Sequence, residues 1–316
     1  MIGIKLIADE IEKALELMDK HRRGSAIMES DWEQFFSTKG YMWLKEREKS
    51  MGRCFEDEEF KSFLLSQEML NKYEEYSKAV ESIKGIDVGV LAAKALSYLP
   101  AGARIETCIV PLIKEKTNSF VYSVDGKLCV FLYVNTAATK EKLENTITHE
   151  LHHIGFDSIM NLDRYKELKP EVRKAVEWTY AFGEGFAMIA AAGGAKVHPN
   201  GHDKELKDIW DESMKGFNED MKRLENFFLS VISCRTPLDK ADENAFEFFG
   251  LQGPWYTVGW KMAAVVELIK GKEKLIECMT DPRKFLKSYN ECVDSYNNTY
   301  GEGLEKWSQA FLDSLY

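Results

Sequence analysis

The 316-residue chain reads as an α+β protein that is mostly α, and three observations carry that reading. Helical apolar periodicity runs from about Ile7 to Tyr98 and resumes from about Asp203 onward. Between these stretches lies a β-rich patch in which Asp125-Gly126 separates two strand-like runs, a strong hairpin signal. Directly after that patch, Lys140 to Ile154 returns to helical period, with Leu143, Ile147, Leu151 and Ile154 at i, i+4, i+8 and i+11. The expected architecture is a small antiparallel sheet packed on this last helix and flanked by helical regions. Along the chain it divides into residues 1–98, 99–195 and 196–316.

Each element has a local reason. Met1-Ile-Gly-Ile-Lys-Leu-Ile7 is a short apolar patch, without the longer apolar region and small-residue cleavage site of a signal peptide. Gly24, Gly40 and Gly52 punctuate the N-terminal helical stretch. Strands are expected over Ala103–Ile113, Ser119–Val124 and Lys127–Val134. Thr139 suits the N-cap of the following helix, and Gly155 is a natural stop. After Pro170 a further helix is expected from about Glu171 to Ala192, ending at Gly193-Gly194. Gly250-Leu-Gln-Gly-Pro254 is the clearest interruption in the C-terminal helical region and leads into Trp255-Tyr256.

Composition excludes several classes. Hydrophobic content of 45% and charged content of 30% are those of an ordinary globular chain. A net charge of −10 argues against nucleic-acid partners and against adhesion to anionic membranes. No apolar run approaches the roughly 18 residues of a membrane span. The six cysteines, Cys54, Cys108, Cys129, Cys234, Cys278 and Cys292, are scattered and read as free thiols, which points to a reducing, cytoplasmic compartment.

The chemistry gathers at His149-Glu150-Leu151-His152-His153. Residues i and i+4 stand one above the other on a helix, so His149 and His153 can aim two imidazole nitrogens at one metal ion. Glu150 then leans over the metal from the side, where its carboxylate can act as a general base. His152 points elsewhere and suits a structural or supporting role. A catalytic zinc site takes three protein ligands and leaves one position open. Glu184, between Gly183 and Gly185, is the chosen third ligand. Two glycines inside a helix cost about 1 kcal/mol each, and a close approach to the helix bearing His149 and His153 would account for them. Glu177, one heptad earlier, is its main competitor, and Glu171 lies too near the helix start. Tyr256 is the candidate donor to a developing oxyanion, with His198 as the alternative. His198 and His202 share i,i+4 spacing, but Pro199 and Gly201 break a helix there and argue against a second metal site.

His-Glu-x-x-His followed, after thirty intervening residues (154 to 183), by Gly-Glu184-Gly-Phe-Ala resembles the gluzincin branch of zinc metallopeptidases. More closely, it resembles a group of bacterial zinc-dependent peptidases with a later Tyr-x-x-Gly segment, matched here by Tyr256-Thr-Val-Gly259. The likeness is specific over about Leu99 to Ala190, weaker near Tyr256, and reduced to a helical pattern around Trp32 and Gly40-Tyr41 upstream. The His-to-Glu gap is longer than in thermolysin-type enzymes. The resemblance implies a zincin-like fold, zinc held by His149, His153 and Glu184, and Glu150 as the base. It also implies that an edge strand at Leu128–Val134 pairs with extended peptide. The expected function is zinc-dependent hydrolysis of peptide bonds in a peptide or protein substrate. The alternatives are a non-catalytic peptide-binding protein of zincin fold and a zinc hydrolase acting on a non-peptide substrate.

Overall fold

A computed structural model describes residues 2–316. The chain forms two compact units, one of residues up to 92 with 105–154, the other of 93–104 with 155–316.

The first unit begins with β1 (Ile2–Leu6), followed by α1 (Asp9–Arg22), α2 (Glu29–Phe36), α3 (Lys39–Ser50), α4 (Asp57–Leu64), α5 (Gln67–Asn71) and α6 (Tyr73–Lys84). α7 (Val88–Leu96) leads out of it. β2 (Ile105–Leu112), β3 (Phe120–Val124) and β4 (Lys127–Tyr133) then precede α8 (Lys140–Asp157). The strands form one sheet in the order β1-β2-β4-β3. The expected hairpin is present: β3 and β4 pair antiparallel, with Val124 opposite Lys127. Asp125 and Gly126 have φ of 49° and 75°, the two positive values that a type I′ turn requires.

The sheet as a whole is mixed, not antiparallel, because β2 runs parallel to both β1 and β4. Two pairings make the difference: β2 passes over β3 to lie parallel to β4, and β1 adds a parallel strand on the far side of β2. Ile2, Ile4 and Leu6 alternate with Gly3 and Lys5, but five residues are too few to separate a strand from an apolar patch.

A second correction concerns β4. The strand expected at an edge lies inside the sheet, with β2 on one side and β3 on the other, so its main chain is committed on both sides. Cys129 to Leu132 are all buried, which is how an unbroken apolar run behaves when both faces of a strand are covered.

The cysteine expectation is corrected as well. Cys108 and Cys129 are joined in a disulfide, with Cα atoms 4.9 Å apart. They sit side by side on β2 and β4, one step from the paired Ile109 and Val130. Cys54, Cys234, Cys278 and Cys292 are free. The basis for reading a reducing compartment therefore goes with the correction. On this face of the sheet, Leu44 of α3 packs with Val110, Leu112, Phe131 and Cys129. α3 also starts tight against α1, because a Cβ at Gly40 would lie 2.6 Å from the Glu10 Cβ.

The second unit is helical: α9 (Pro170–Thr179), α10 (Gly183–Ala192), α11 (Lys204–Lys215), α12 (Phe217–Ile232), α13 (Leu238–Phe246), α14 (Pro254–Lys270), α15 (Lys272–Met279), α16 (Pro282–Tyr300) and α17 (Gln309–Ser314). α14 is its axis. Trp255, Val258, Met262, Ala263, Ala264, Val265 and Val266 are at most 2% exposed, and they pack within one large core. The single helix expected over 171–192 is two helices joined by a 3-10 turn at Tyr180–Phe182. α10 closes as anticipated on Gly193, whose φ of 94° is left-handed and whose N–H reaches the Ile189 carbonyl at 2.9 Å. Among the described residues no helix is long and apolar enough to cross a membrane.

Candidate metal centre

α8 forms where its sequence dictates. The Thr139 hydroxyl oxygen accepts the Lys142 N–H at 3.2 Å, satisfying one of the donors that a helix start leaves open. Ile147, Leu151 and Ile154 are 1%, 0% and 4% exposed, so the apolar stripe is the buried face. The helix runs past Gly155 to Asp157, because one glycine weakens a well-anchored last turn without ending it.

His149 and His153, both half-buried, bring their Nε2 atoms to 3.0 Å, with ring planes at 81°. Glu150 is buried at 8% exposure and His152 at 0%. Glu184 stands in the first turn of α10 and is half-buried.

The ligand atoms of His149, His153 and Glu184 lie within 4.8 Å of one another. Among the described residues they are the one group of His, Cys, Asp or Glu side chains able to hold a metal ion. Two nitrogens bound at about 2.0–2.1 Å to a tetrahedral zinc stand about 3.3 Å apart, so a pair at 3.0 Å needs only a small opening to fit. Two imidazoles and one carboxylate are also the donor chemistry that zinc prefers.

The glycines beside Glu184 have a different explanation from the one expected. A Cβ at Gly185 would fall 2.0 Å from the Trp260 backbone nitrogen and 2.1 Å from the Gly259 carbonyl carbon. One at Gly259 would meet the Phe182 carbonyl oxygen at 2.9 Å and the Gly185 Cα at 3.3 Å. Gly185 and Gly259 thus form a seam where the backbones of α10 and α14 touch. The approach that demands glycine is to α14, not to α8. Gly183 is less constrained, its nearest neighbour being the Phe156 ring at 3.4 Å. The seam also accounts for the glycine of Tyr256-x-x-Gly259, a role that the sequence reading missed. Its signal was the pair of small-residue positions, which gain meaning only together.

Tyr256 lies in the first turn of α14, after the Gly253 N-cap and Pro254 at N1. It is partly exposed, with its ring 6.4 Å from that of Phe249. His198 is engaged elsewhere. Its Nε2 lies 3.0 Å from Asp211 Oδ1, and its Nδ1 accepts the Asn200 N–H at 3.0 Å. Lys207 and then His198 hold the Asp211 carboxyl below the usual range. Glu177 carries an ion pair to Arg173 at 3.7 Å.

A helix-borne pair of imidazoles and a carboxylate within reach as third donor define a candidate mononuclear metal site, with buried Glu150 next to His149 in the chain. Residues 32–298 match the family described as "Putative zinc dependent peptidase (DUF5700)", and the chain belongs to that family. No curated protein and no solved structure matches it.

Proposed function

We propose that this protein hydrolyses peptide bonds with one zinc ion, held by His149, His153 and Glu184. The observation that carries the reading is the convergence of those three side chains, with Glu150 next to His149 in the chain, together with membership of a family described as zinc-dependent peptidases. Zinc held there supplies a Lewis acid and draws the pKa of a water toward about 7. Glu150 takes the proton from the attacking water and returns it to the departing amine. Its near-complete burial keeps the carboxylate away from bulk water and strengthens that exchange. The Tyr256 hydroxyl donates a hydrogen bond to the oxygen that gains charge as the carbonyl is attacked.

The test is cleavage of a peptide library by wild type and Glu150→Gln at matched zinc content. Gln keeps the shape but cannot accept the proton, so hydrolysis should fall by roughly 10²–10⁴-fold while zinc and fold persist. Equal rates in the two proteins would sink the assignment of Glu150. No cleavage by wild type, with peptide binding retained, would favour a non-catalytic peptide-binding protein. Turnover of esters but not peptides would move the substrate class.

A further inference from the structure

The first unit holds a second candidate site, built around Lys114. This residue follows β2 closely and is 6% exposed. Its ammonium donates to neutral acceptors, the Lys116 carbonyl and Asn118 Oδ1, the latter at 3.0 Å. Among the described residues it makes no ion pair. It lies 5.5 and 5.6 Å from the ring centres of Phe120 and Tyr133, which steady a cation without supplying negative charge.

The charges around it are of the wrong sign to help. Arg47, Lys116 and Arg53 act on Lys114 as repelling neighbours, and Glu48 is its one attractive carboxylate among the leading influences. Glu48 is already engaged, by Arg47 at 2.5 Å, Arg53 at 2.9 Å and Lys116 at 3.8 Å. Four cations therefore share one carboxylate. Burial first, and Arg47 next, push the Lys114 ammonium down to about 8, so it still carries its charge near neutral pH. A buried cation without a counter-ion is costly, and a bound anion removes that cost.

This cluster opens on a pocket of about 100 Å³, where a single water needs roughly 10–15 Å³ on the same measure. Leu44, Phe55 and Phe60 give it an apolar wall, while Lys114, Arg53 and Lys116 line its cationic side. Glu56, Glu59 and Glu115 also line it, and all three are exposed. Its buried end thus holds Lys114 and Glu48, the latter already engaged by Arg47 and Arg53, while one wall is apolar and the exposed part carries the three glutamates beside Lys116.

We infer that this pocket binds a small amphipathic zwitterion, a free amino acid with an apolar side chain. Its carboxylate would lie on Lys114, its side chain on Phe55 and Phe60, and its ammonium toward Glu59. The inference is independent of the peptidase reading, since no metal or catalytic residue enters it.

The probes are L-leucine, 4-methylpentanoate (no ammonium) and leucinamide (no carboxylate), titrated calorimetrically into the full-length protein, with melting temperature followed in parallel. Leucine should bind saturably and raise the melting temperature. 4-Methylpentanoate should bind at least several-fold more weakly, and leucinamide not at all. Lys114→Met should abolish leucine binding. The exposed Glu59→Gln, which leaves the buried cluster intact, should bring leucine down to the level of 4-methylpentanoate. Absence of saturable binding by any probe, or unchanged binding in Lys114→Met, would overturn the site. Equal affinity of wild type for leucine and 4-methylpentanoate would overturn its assignment to a zwitterion.

Discussion

α8 and the segment from Pro170 to Ala192 each supply part of the candidate metal centre, but by different means. α8 is one uninterrupted helix of 18 residues, capped by Thr139 and anchored by a buried stripe. The relation of His149 to His153 then follows from helical geometry alone. The second segment is broken by a 3-10 turn, and Glu184 occupies the first turn after the break. Its position depends on the contact of Gly185 with Gly259 and Trp260. One pair of candidate ligands is placed by local periodicity, the third candidate by a tertiary seam.

That contrast can be broken by mutation, and the largest effect is expected on α8. His149→Ala or His153→Ala should leave purified protein with almost no zinc, because removing one of three ligands undoes the site. Zinc measured by mass spectrometry at full occupancy in the double variant would end the metal assignment. Glu184→Gln should weaken zinc binding strongly and Glu177→Gln hardly at all, since Glu177 already faces Arg173. A competition titration against a chelator ranks the two, and a reversed order would move the third ligand one heptad upstream.

The seam is probed by stability. Gly→Ala inside a helix ordinarily gains about 1 kcal/mol, yet at Gly185 the new Cβ would meet backbone at 2.0 Å. The clash should win, with Gly185→Ala costing about 3 kcal/mol or more. Gly183→Ala, facing a ring at 3.4 Å, should stay within about 1 kcal/mol of wild type. Equal denaturant midpoints for the two variants would refute the seam. The smallest effect belongs to Thr139→Ala, which should cost about 1 kcal/mol through the lost cap and leave zinc affinity unchanged.

The parts legible in the sequence are those specified within one turn or one hairpin. Asp125-Gly126 carries its own backbone conformation, and Leu143 to Ile154 carries its own buried face. What escaped was non-local. β1 became a strand only by finding β2, and β4 became internal only because β2 pairs with the side that β3 leaves open. Cys108 and Cys129 are 21 residues apart and meet only because parallel pairing sets them side by side. Lys114 looked like any lysine after a strand, since its burial comes from α3, α4 and the sheet closing around it. At the candidate metal centre, the closeness of His149 to His153 was readable from spacing. The reason for Gly185 beside Glu184 lay on a helix some seventy residues further along.

The parallel pairing of β1 with β2 also bears on how the chain assembles during synthesis. Ile2 pairs with Ile105, and Leu6 with Ile109. A ribosome adding about 5–20 residues per second therefore delivers the first strand roughly 5–20 seconds before its partner. In that interval an apolar ribbon with unsatisfied backbone groups is exposed while the helices behind it emerge. The parallel pair β1–β2 therefore cannot close until Ile105 to Ile109 have been made, so this edge of the sheet forms after the helices that separate its two strands in the chain.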